Sequence, residues 1–198
     1  FLVDRHGKVL LPVPTEDLTV LIERDAEDLD LFADLSAEEG EVQGVTHFFP
    51  GRKPQVMIAK ELSEQGNREN RLRTTLAHEY GHVKCHAPLY DAEASPSLFP
   101  ELYEKKPSPK CHRNTIHGTG TTDWMEWQAG YTSGALLMPI TYLGRIVRDA
   151  HMRFGIYGVC YAGSAKGRAL IELVSRSFAV SRDAARVRLE QLEYLVKG

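Results

Sequence analysis

The chain has 198 residues and a net charge of −3, and its 42% hydrophobic and 26% charged residues are ordinary globular values that indicate no particular function. No segment approaches the roughly 18 consecutive apolar residues that a membrane-spanning helix needs, so we expect no membrane partner. Three cysteines are too few for a disulfide framework, which favours a reducing, cytoplasmic location.

The first sixty residues are predicted to combine a helix with strands. Leu18, Leu21 and Ile22 recur at helical spacing in a helix over residues 15–24, with Thr15 as its candidate N-cap. Three segments rich in apolar, β-branched and aromatic residues predict strands over residues 29–33, 42–49 and 55–60.

A strong amphipathic helix follows Asn67, its candidate N-cap. Leu72, Leu76, Tyr80 and Val83 recur at intervals of four, four and three residues and form one apolar stripe. The stretch over residues 87–122 is rich in proline and has little periodicity, so it is predicted to be a long loop. Helices are then predicted over residues 123–138, 140–153, 165–178 and 182–196, with Ser181 capping the last one.

The helix after Asn67 carries the motif His-Glu-x-x-His in His78, Glu79 and His82. Histidines four residues apart face the same side of a helix, so both imidazoles can bind one zinc ion at about 2.0–2.1 Å. Glu79 lies about 100° around the helix, where its carboxylate can take a proton from a water on the metal. The alternative without function is a pair of exposed histidines on an amphipathic helix.

A third ligand must come from elsewhere, because a catalytic zinc has three protein ligands and one open position. Glu126 on the next predicted helix is the best candidate, since a carboxylate among apolar residues is expected to face a cation. His86 continues the row of His78 and His82, but a straight helix carries it away from the metal. The other candidates for the third ligand are Asp91, Glu93 and Asp123.

Two segments of the chain resemble the ImmA/IrrE family of metallopeptidases. They are residues 75–82, Thr-Leu-Ala-His-Glu-Tyr-Gly-His, and residues 126–139, which begin Glu-Trp-Gln-Ala-Gly-Tyr and end Leu-Leu-Met-Pro. The resemblance extends over about residues 15–196. The interval from His82 to Glu126 is longer than is typical of the family, because of the proline-rich stretch.

The resemblance implies a gluzincin in which His78, His82 and Glu126 bind zinc and Glu79 is the general base. Mn²⁺ or Fe²⁺ could also occupy such a site. Members of the family cleave helix-turn-helix repressors of mobile elements or stress regulons, which implies a DNA-binding repressor as the protein substrate. The strand over residues 42–49 or the one over residues 55–60 could hold the substrate backbone by edge pairing.

The C-terminal segment is basic, with ten Lys or Arg against five Asp or Glu in residues 139–198. Its pattern resembles a helix-turn-helix unit, and direct DNA binding would use the arginines Arg176, Arg182, Arg186 and Arg188. We favour a helical subdomain that buries its apolar residues or docks a protein. The expected fold is therefore α+β: a zincin-like metallopeptidase domain with a small mixed sheet over residues 1–138, then a small helical, helix-turn-helix-like domain over residues 139–198.

Four side chains are candidates for polarising the scissile carbonyl as an oxyanion partner does. They are Tyr90, His112, His117 and Tyr131. Three bulky residues next to the third ligand are instead predicted to pack in the core against the zinc helix: Trp124, Met125 and Trp127.

Two Cys-His pairs, Cys85-His86 and Cys111-His112, could build a second, structural zinc site. One of these residues could alternatively occupy the open zinc position and keep the enzyme latent. The second zinc site is not favoured, because the closely spaced cysteines of a zinc hairpin are absent from the sequence, and the latent form is not favoured either.

The predicted function is site-specific cleavage of a protein substrate by a zinc-dependent metallo-endopeptidase. A second class stays open, in which a transcriptional regulator or binding module keeps a metal for sensing or stability and cleaves nothing. Glu79 argues against this second class, because a structural zinc has no use for a base beside it.

Overall fold

The computed structural model describes residues 1–38, 41–49, 51–64, 68–93, 110–112 and 124–197, with the backbone alone for residues 91–93 and 110–112. The chain forms two compact units, Thr15–Ser133 and a second unit composed of Phe1–Pro14 and Gly134–Gly198. The predicted domains over residues 1–138 and 139–198 stay a prediction, because compactness alone does not establish which segments fold independently.

Four strands of the first unit form a small mixed sheet. They are β1 (Asp28–Ala33), β2 (Val42–Phe49), β3 (Arg52–Ala59) and β4 (Lys110–His112), in the order β1-β3-β2-β4. β1 pairs with β3 in parallel, whereas β2 is antiparallel to both β3 and β4. The turn between β2 and β3 contains Gly51 with a φ of 70°, a conformation that glycine adopts without steric cost.

The three strands predicted from the sequence are confirmed, but the strand order does not leave β2 or β3 at an edge of the sheet, as was expected for one of them. β2 and β3 are both internal in the sheet of described strands, because β1 covers β3 and β4 covers β2. The prediction that one of them offers a free edge to an extended substrate is therefore wrong. Val45, Val56 and Ile58 are fully buried on β2 and β3, where the core of the unit lies.

Three helices accompany the sheet: α2 (Thr15–Asp25), α3 (Lys60–Glu64) and α4 (Glu69–Glu93). α4 packs against α2, β2 and β3, and its apolar residues Leu76, Ala77 and Val83 are buried there. The helix continues through Pro88 to residue 93, so the prediction of a loop from residue 87 is wrong for this part. A proline inside a helix removes one hydrogen bond, and the rest of this long helix tolerates that loss. Asn67, the predicted cap, lies outside the described residues.

The remaining helices are α1 (Leu2–His6), α5 (Trp124–Leu137), α6 (Ile140–Phe154), α7 (Ala165–Phe178) and α8 (Arg182–Gln191). The Ser164 and Ser181 side chains cap α7 and α8 by accepting hydrogen bonds from the backbone N–H groups of Gly167 and Ala184, which confirms the predicted cap at Ser181. The core of the second unit includes the buried residues Leu143, Val147, Leu170, Val174, Phe178 and Leu189.

The last helix is shorter than predicted. α8 ends at Gln191, and Glu193 has a φ of 60°, which lies outside helical backbone. Val196 then pairs with Tyr161 as an isolated parallel bridge. The prediction of a helix to residue 196 was wrong. Leu192 and Leu195 have helical spacing in the sequence, but the backbone at Val196 pairs with Tyr161 instead of continuing the helix.

The fold class is confirmed at the level of an α+β protein with a small mixed sheet and several helices. Among the residues that the structure describes, no helix is long and apolar enough to cross a membrane.

Candidate metal centre

Two helices of the first unit bring three ligand groups together. His78 and His82 lie one turn apart on α4, and Glu126 lies in the first turn of α5. The Nε2 atoms of the two histidines are 3.2 Å apart. Glu126 Oε2 is 3.1 Å from His78 Nε2, and Glu126 Oε1 is 3.1 Å from His82 Nε2. These three residues form a group that could hold a metal ion.

The spacing of the three groups fits a metal better than it fits hydrogen bonds. Ligand atoms at about 2.0–2.1 Å from a tetrahedral zinc are roughly 3.3 Å from one another, close to the distances between these atoms. A ring N–H points in one direction only, yet His82 Nε2 lies near both His78 Nε2 and Glu126 Oε1. A cation among the three groups would be bound by all of their lone pairs at once.

The protonation states of the group also suit a metal site. Both imidazoles are fully buried, and burial lowers the pKa of His82 to about 4. Burial by itself raises the pKa of Glu126, but its close contacts with His78 and His82 outweigh burial and hold that pKa well below its usual range. At neutral pH the group therefore contains a neutral His82 and an ionised carboxylate, which are the forms that bind metals.

Glu79 is held away from these ligands by strand β2. Its carboxylate is fully buried, and the Thr46 hydroxyl donates a hydrogen bond of 2.6 Å to its Oε2. The other oxygen lies against Gly44, where a Cβ atom would be only 2.6 Å from Oε1. Glycine is therefore required at position 44 if the carboxylate is to keep this place. Thr46 and Gly44 could not be predicted from the sequence, because only the packing of α4 against β2 brings these residues, 33 and 35 positions earlier, against Glu79.

A second glycine allows the two helices of the centre to meet. A Cβ atom at Gly81 would be 2.9 Å from both the Cα and the carbonyl oxygen of Ala129, and Ala129 is fully buried. α4 and α5 are therefore in backbone contact at this point. On α4 the contact is made by Gly81, between His78 and His82, and on α5 by Ala129, three residues after Glu126. It therefore sets the distance between the two histidines and Glu126.

His86 and Gln128 form a further layer behind His82. His86 is fully buried, and its Nδ1 is 3.0 Å from His82 Nδ1. On the other side of the ring, His86 Nε2 is 3.0 Å from Gln128 Oε1. The prediction that His86 lies away from the metal agrees with its place behind His82, outside the ligand group. A contact with His82 could have been predicted, because the two histidines are four residues apart on one helix.

Among the other predicted site residues, the two whose side chains are described, Tyr90 and Tyr131, are not part of this group. Tyr90 stacks on Phe48, with ring centroids 4.3 Å apart, and Tyr131 stacks on Trp127 at 5.5 Å. The side chains of Asp91, Glu93 and His112 are not among those described, and Asp123 and His117 lie outside the described residues. The role of Tyr90, His112, His117 and Tyr131 toward a scissile carbonyl stays a prediction.

The tryptophans of α5 do not pack in the core as predicted. Trp124 and Trp127 are 62% and 46% exposed and stack on each other with ring centroids 4.9 Å apart. The helical period explains the error, because residues 124 and 127 lie nearly opposite Ala129 around α5, and Ala129 marks the face that contacts α4. Met125, the third residue of that prediction, is half-buried.

Of the cysteines proposed for a second zinc site, Cys85 is free, with its Sγ 3.6 Å from the Thr132 hydroxyl of α5. The backbone of Cys111 pairs with Gly44 in the sheet, but its side chain is not described. Both the second zinc site and the latent form stay predictions.

Comparison of the chain with models of protein families found no match, and comparison with curated proteins found none either.

Proposed function

We propose that the chain is a zinc-dependent metallo-endopeptidase of the ImmA/IrrE type, with a zincin-like catalytic unit. One observation carries the proposal: next to a group of two imidazoles and a carboxylate, α4 holds a second, fully buried carboxylate, Glu79, that strand β2 keeps apart from that group. A site that only stores a metal has no use for this second carboxylate, whereas hydrolysis needs a general base.

Zinc is the proposed metal, because two imidazole nitrogens and one carboxylate oxygen leave a position open on a tetrahedral ion. His78, His82 and Glu126 would hold it. When bound, zinc polarises a carbonyl and makes water a stronger nucleophile near neutral pH. Mn²⁺ or Fe²⁺ would suit the same donor atoms, so the identity of the metal is part of the proposal.

Glu79 supplies the proton transfers of the proposed reaction. It takes a proton from the attacking water as the C–O bond forms, and it gives that proton to the amine as the C–N bond breaks. The Thr46 hydroxyl donates to Oε2 and thereby helps to orient the carboxylate. The hydrogen bond and the backbone of Gly44 fix the direction of the carboxylate before any substrate arrives.

The proposed substrate is a protein cut at one site, namely a helix-turn-helix repressor of a mobile element or a stress regulon. This part of the proposal is supported by the resemblance of residues 75–82 and 126–139 to the family. A cytoplasmic location belongs to the same proposal, because a repressor is found there.

The proposal is tested with Glu79→Gln, with the exposed Glu69→Gln on the same helix as the matched control. Zinc content is measured for each purified protein, and each is incubated with a purified helix-turn-helix repressor of the proposed class while fragments are followed by mass spectrometry. We expect Glu79→Gln to keep its zinc and to produce no fragments, and Glu69→Gln to behave as the parent. Cleavage by Glu79→Gln at the parent rate would show that the peptidase assignment is wrong.

The second candidate function, a metal-containing regulator that binds DNA, draws on the arginines of α7 and α8. Two of them are already engaged, because Arg176 and Arg182 both contact Glu172 at 2.6 and 2.5 Å. We therefore expect no shift of duplex DNA by the purified protein at about 150 mM salt. A shift at that salt concentration, combined with full cellular activity of Glu79→Gln, would favour the regulator.

A further inference from the structure

We infer that His86 and Gln128 are positioning residues for the metal: they fix which nitrogen of His82 carries the proton, and so they prepare the other nitrogen to bind the ion. The inference rests on the proposed metal site and concerns a layer of residues that does not touch the ion itself.

The direction of the hydrogen bonds follows from Gln128. With its Oε1 facing His86 Nε2 at 3.0 Å, the amide oxygen accepts, which places the proton between them on His86 Nε2. Burial disfavours a charged ring, and His86 is fully buried, so the neutral imidazole carries no second proton. His86 Nδ1 is therefore an acceptor.

The same logic then determines the state of His82. Its Nδ1 lies 3.0 Å from His86 Nδ1, so it must be the donor in that hydrogen bond. Its Nε2 consequently carries a lone pair, and that atom is the one 3.1 Å from Glu126 Oε1 and 3.2 Å from His78 Nε2. A lone pair and a carboxylate oxygen at this distance are the donor pair that a cation between them would bind. The row Gln128–His86–His82 thus prepares the site for a metal before the metal binds.

The opposite direction would disable the site. If the amide of Gln128 donated to His86 Nε2, His86 Nδ1 would donate to His82 Nδ1, and the proton of His82 would be on Nε2. That nitrogen could then hydrogen-bond to Glu126 but could not bind a metal. The identity of the residue at position 128 therefore matters, because an acceptor there selects the competent arrangement.

The first experiment needs no substitution. Nitrogen NMR of the histidine-labelled, metal-free protein distinguishes the two neutral forms of each imidazole. We expect His82 as the Nδ1–H form and His86 as the Nε2–H form. The reverse pair of forms would overturn the inference.

The second experiment measures zinc affinity by competition with a chromophoric chelator. For His86→Leu and Gln128→Leu we expect affinity to fall by about 10–100-fold, as is usual when the group behind a metal-binding histidine is removed. Gln128→Glu keeps an acceptor at the same place, so its affinity should stay within about threefold of the parent. Thr132→Val is the matched control, since it alters another contact between α4 and α5 beside Cys85, and it should leave affinity unchanged.

The melting temperature of each metal-free variant separates positioning from packing. A purely structural role would lower affinity in proportion to stability and would not be rescued by Gln128→Glu. Zinc binding by His86→Leu at the parent affinity would overturn this inference but leave the proposed peptidase intact. A parent protein that binds no zinc would overturn both.

Discussion

At the scale of single residues, the space around Glu79 is the most restrictive part of the site. Gly44 leaves no room for a side chain, because its Cβ would be 2.6 Å from Glu79 Oε1 and 3.0 Å from the carboxyl carbon. Gly44 makes none of the contacts among the three ligand groups. A substitution at this position should therefore disturb the proposed base, Glu79, without disturbing metal binding.

Gly44→Ala is expected to keep zinc binding and to lower the rate of cleavage by about a hundredfold, because a misplaced base costs about that much. Zinc content and fragment formation are measured on the same preparation. Gly130→Ala on α5 is the control, since its Cβ would meet nothing within 4 Å in the described part of the chain. Equal rates for Gly44→Ala and the parent would mean that Glu79 is not the base.

Asp25 gives a prediction of pH dependence away from the metal. The Arg24 side chain, with help from Tyr80 and Lys84, lowers the pKa of the Asp25 carboxyl well below the usual range, although partial burial acts in the opposite direction.

A carboxyl group whose pKa is depressed in the folded state stabilises the protein above its unfolded pKa, and that stability is lost as the pH falls toward the folded pKa. Asp25→Asn should therefore lower the free energy of unfolding by about 1 kcal/mol at pH 7, with a difference that shrinks as the pH falls below about 4. Urea unfolding at several pH values measures the difference, with the exposed Glu23→Gln of α2 as the control. A difference that does not change with pH would contradict the electrostatic explanation.

At the scale of elements, the crossing of α4 and α5 decides whether the ligands meet. The backbone contact between Gly81 and Ala129 lets Glu126 reach His78 and His82 on one side of the crossing. On the other side it lets Gln128 reach His86. Any side chain at position 81 must push the helices apart, because the atoms it would meet belong to the backbone.

Gly81→Ala should weaken zinc binding and lower the free energy of unfolding by about 1–2 kcal/mol, since the steric cost exceeds the gain in helix propensity. Gly130→Ala, one residue after Ala129 in α5, should instead raise the free energy of unfolding by about 0.5–1 kcal/mol, because alanine favours the helix and its methyl group is unhindered. Denaturant titration and chelator competition test the pair. Opposite signs for the two substitutions are expected, and a stabilising Gly81→Ala would contradict the proposed crossing.

At the scale of the whole molecule, every group of the candidate centre belongs to the unit Thr15–Ser133. A metal there joins two helices, because Glu126 lies 48 residues after His78 and 44 residues after His82 in sequence. Binding to the folded state alone stabilises by about 2.7 kcal/mol when free zinc is a hundred times its dissociation constant.

Removal of zinc with a chelator is therefore expected to lower the melting temperature by about 5–10 °C, given roughly 2–4 °C per kcal/mol for a chain of this length. Thermal scans with and without zinc measure the shift. Glu126→Gln should lose most of the shift, whereas Glu69→Gln should retain it. A shift of the same size in both variants would mean that zinc acts elsewhere on the protein.

Local regularities in the sequence determined much of this protein. The strands near residues 29–33, 42–49 and 55–60, the helix with His78 and His82, and the cap at Ser181 all follow from spacing over a few residues. Glu126 was chosen as a ligand candidate because a carboxylate on an apolar helix requires a partner, and the structure brings it to both histidines. These features depend on the periods of helix and strand, which a sequence displays directly.

Only the tertiary structure decided the rest. Gly44 and Thr46 became part of the site through the position of β2 beside α4, Gly81 through its contact with Ala129, and His86 through the amide of Gln128. The exposure of Trp124 and Trp127 and the internal position of β3 were likewise set by which elements became neighbours. The physical reason is the same in each case: these roles depend on distances between residues far apart in the chain, and local periodicity contains no information about such distances.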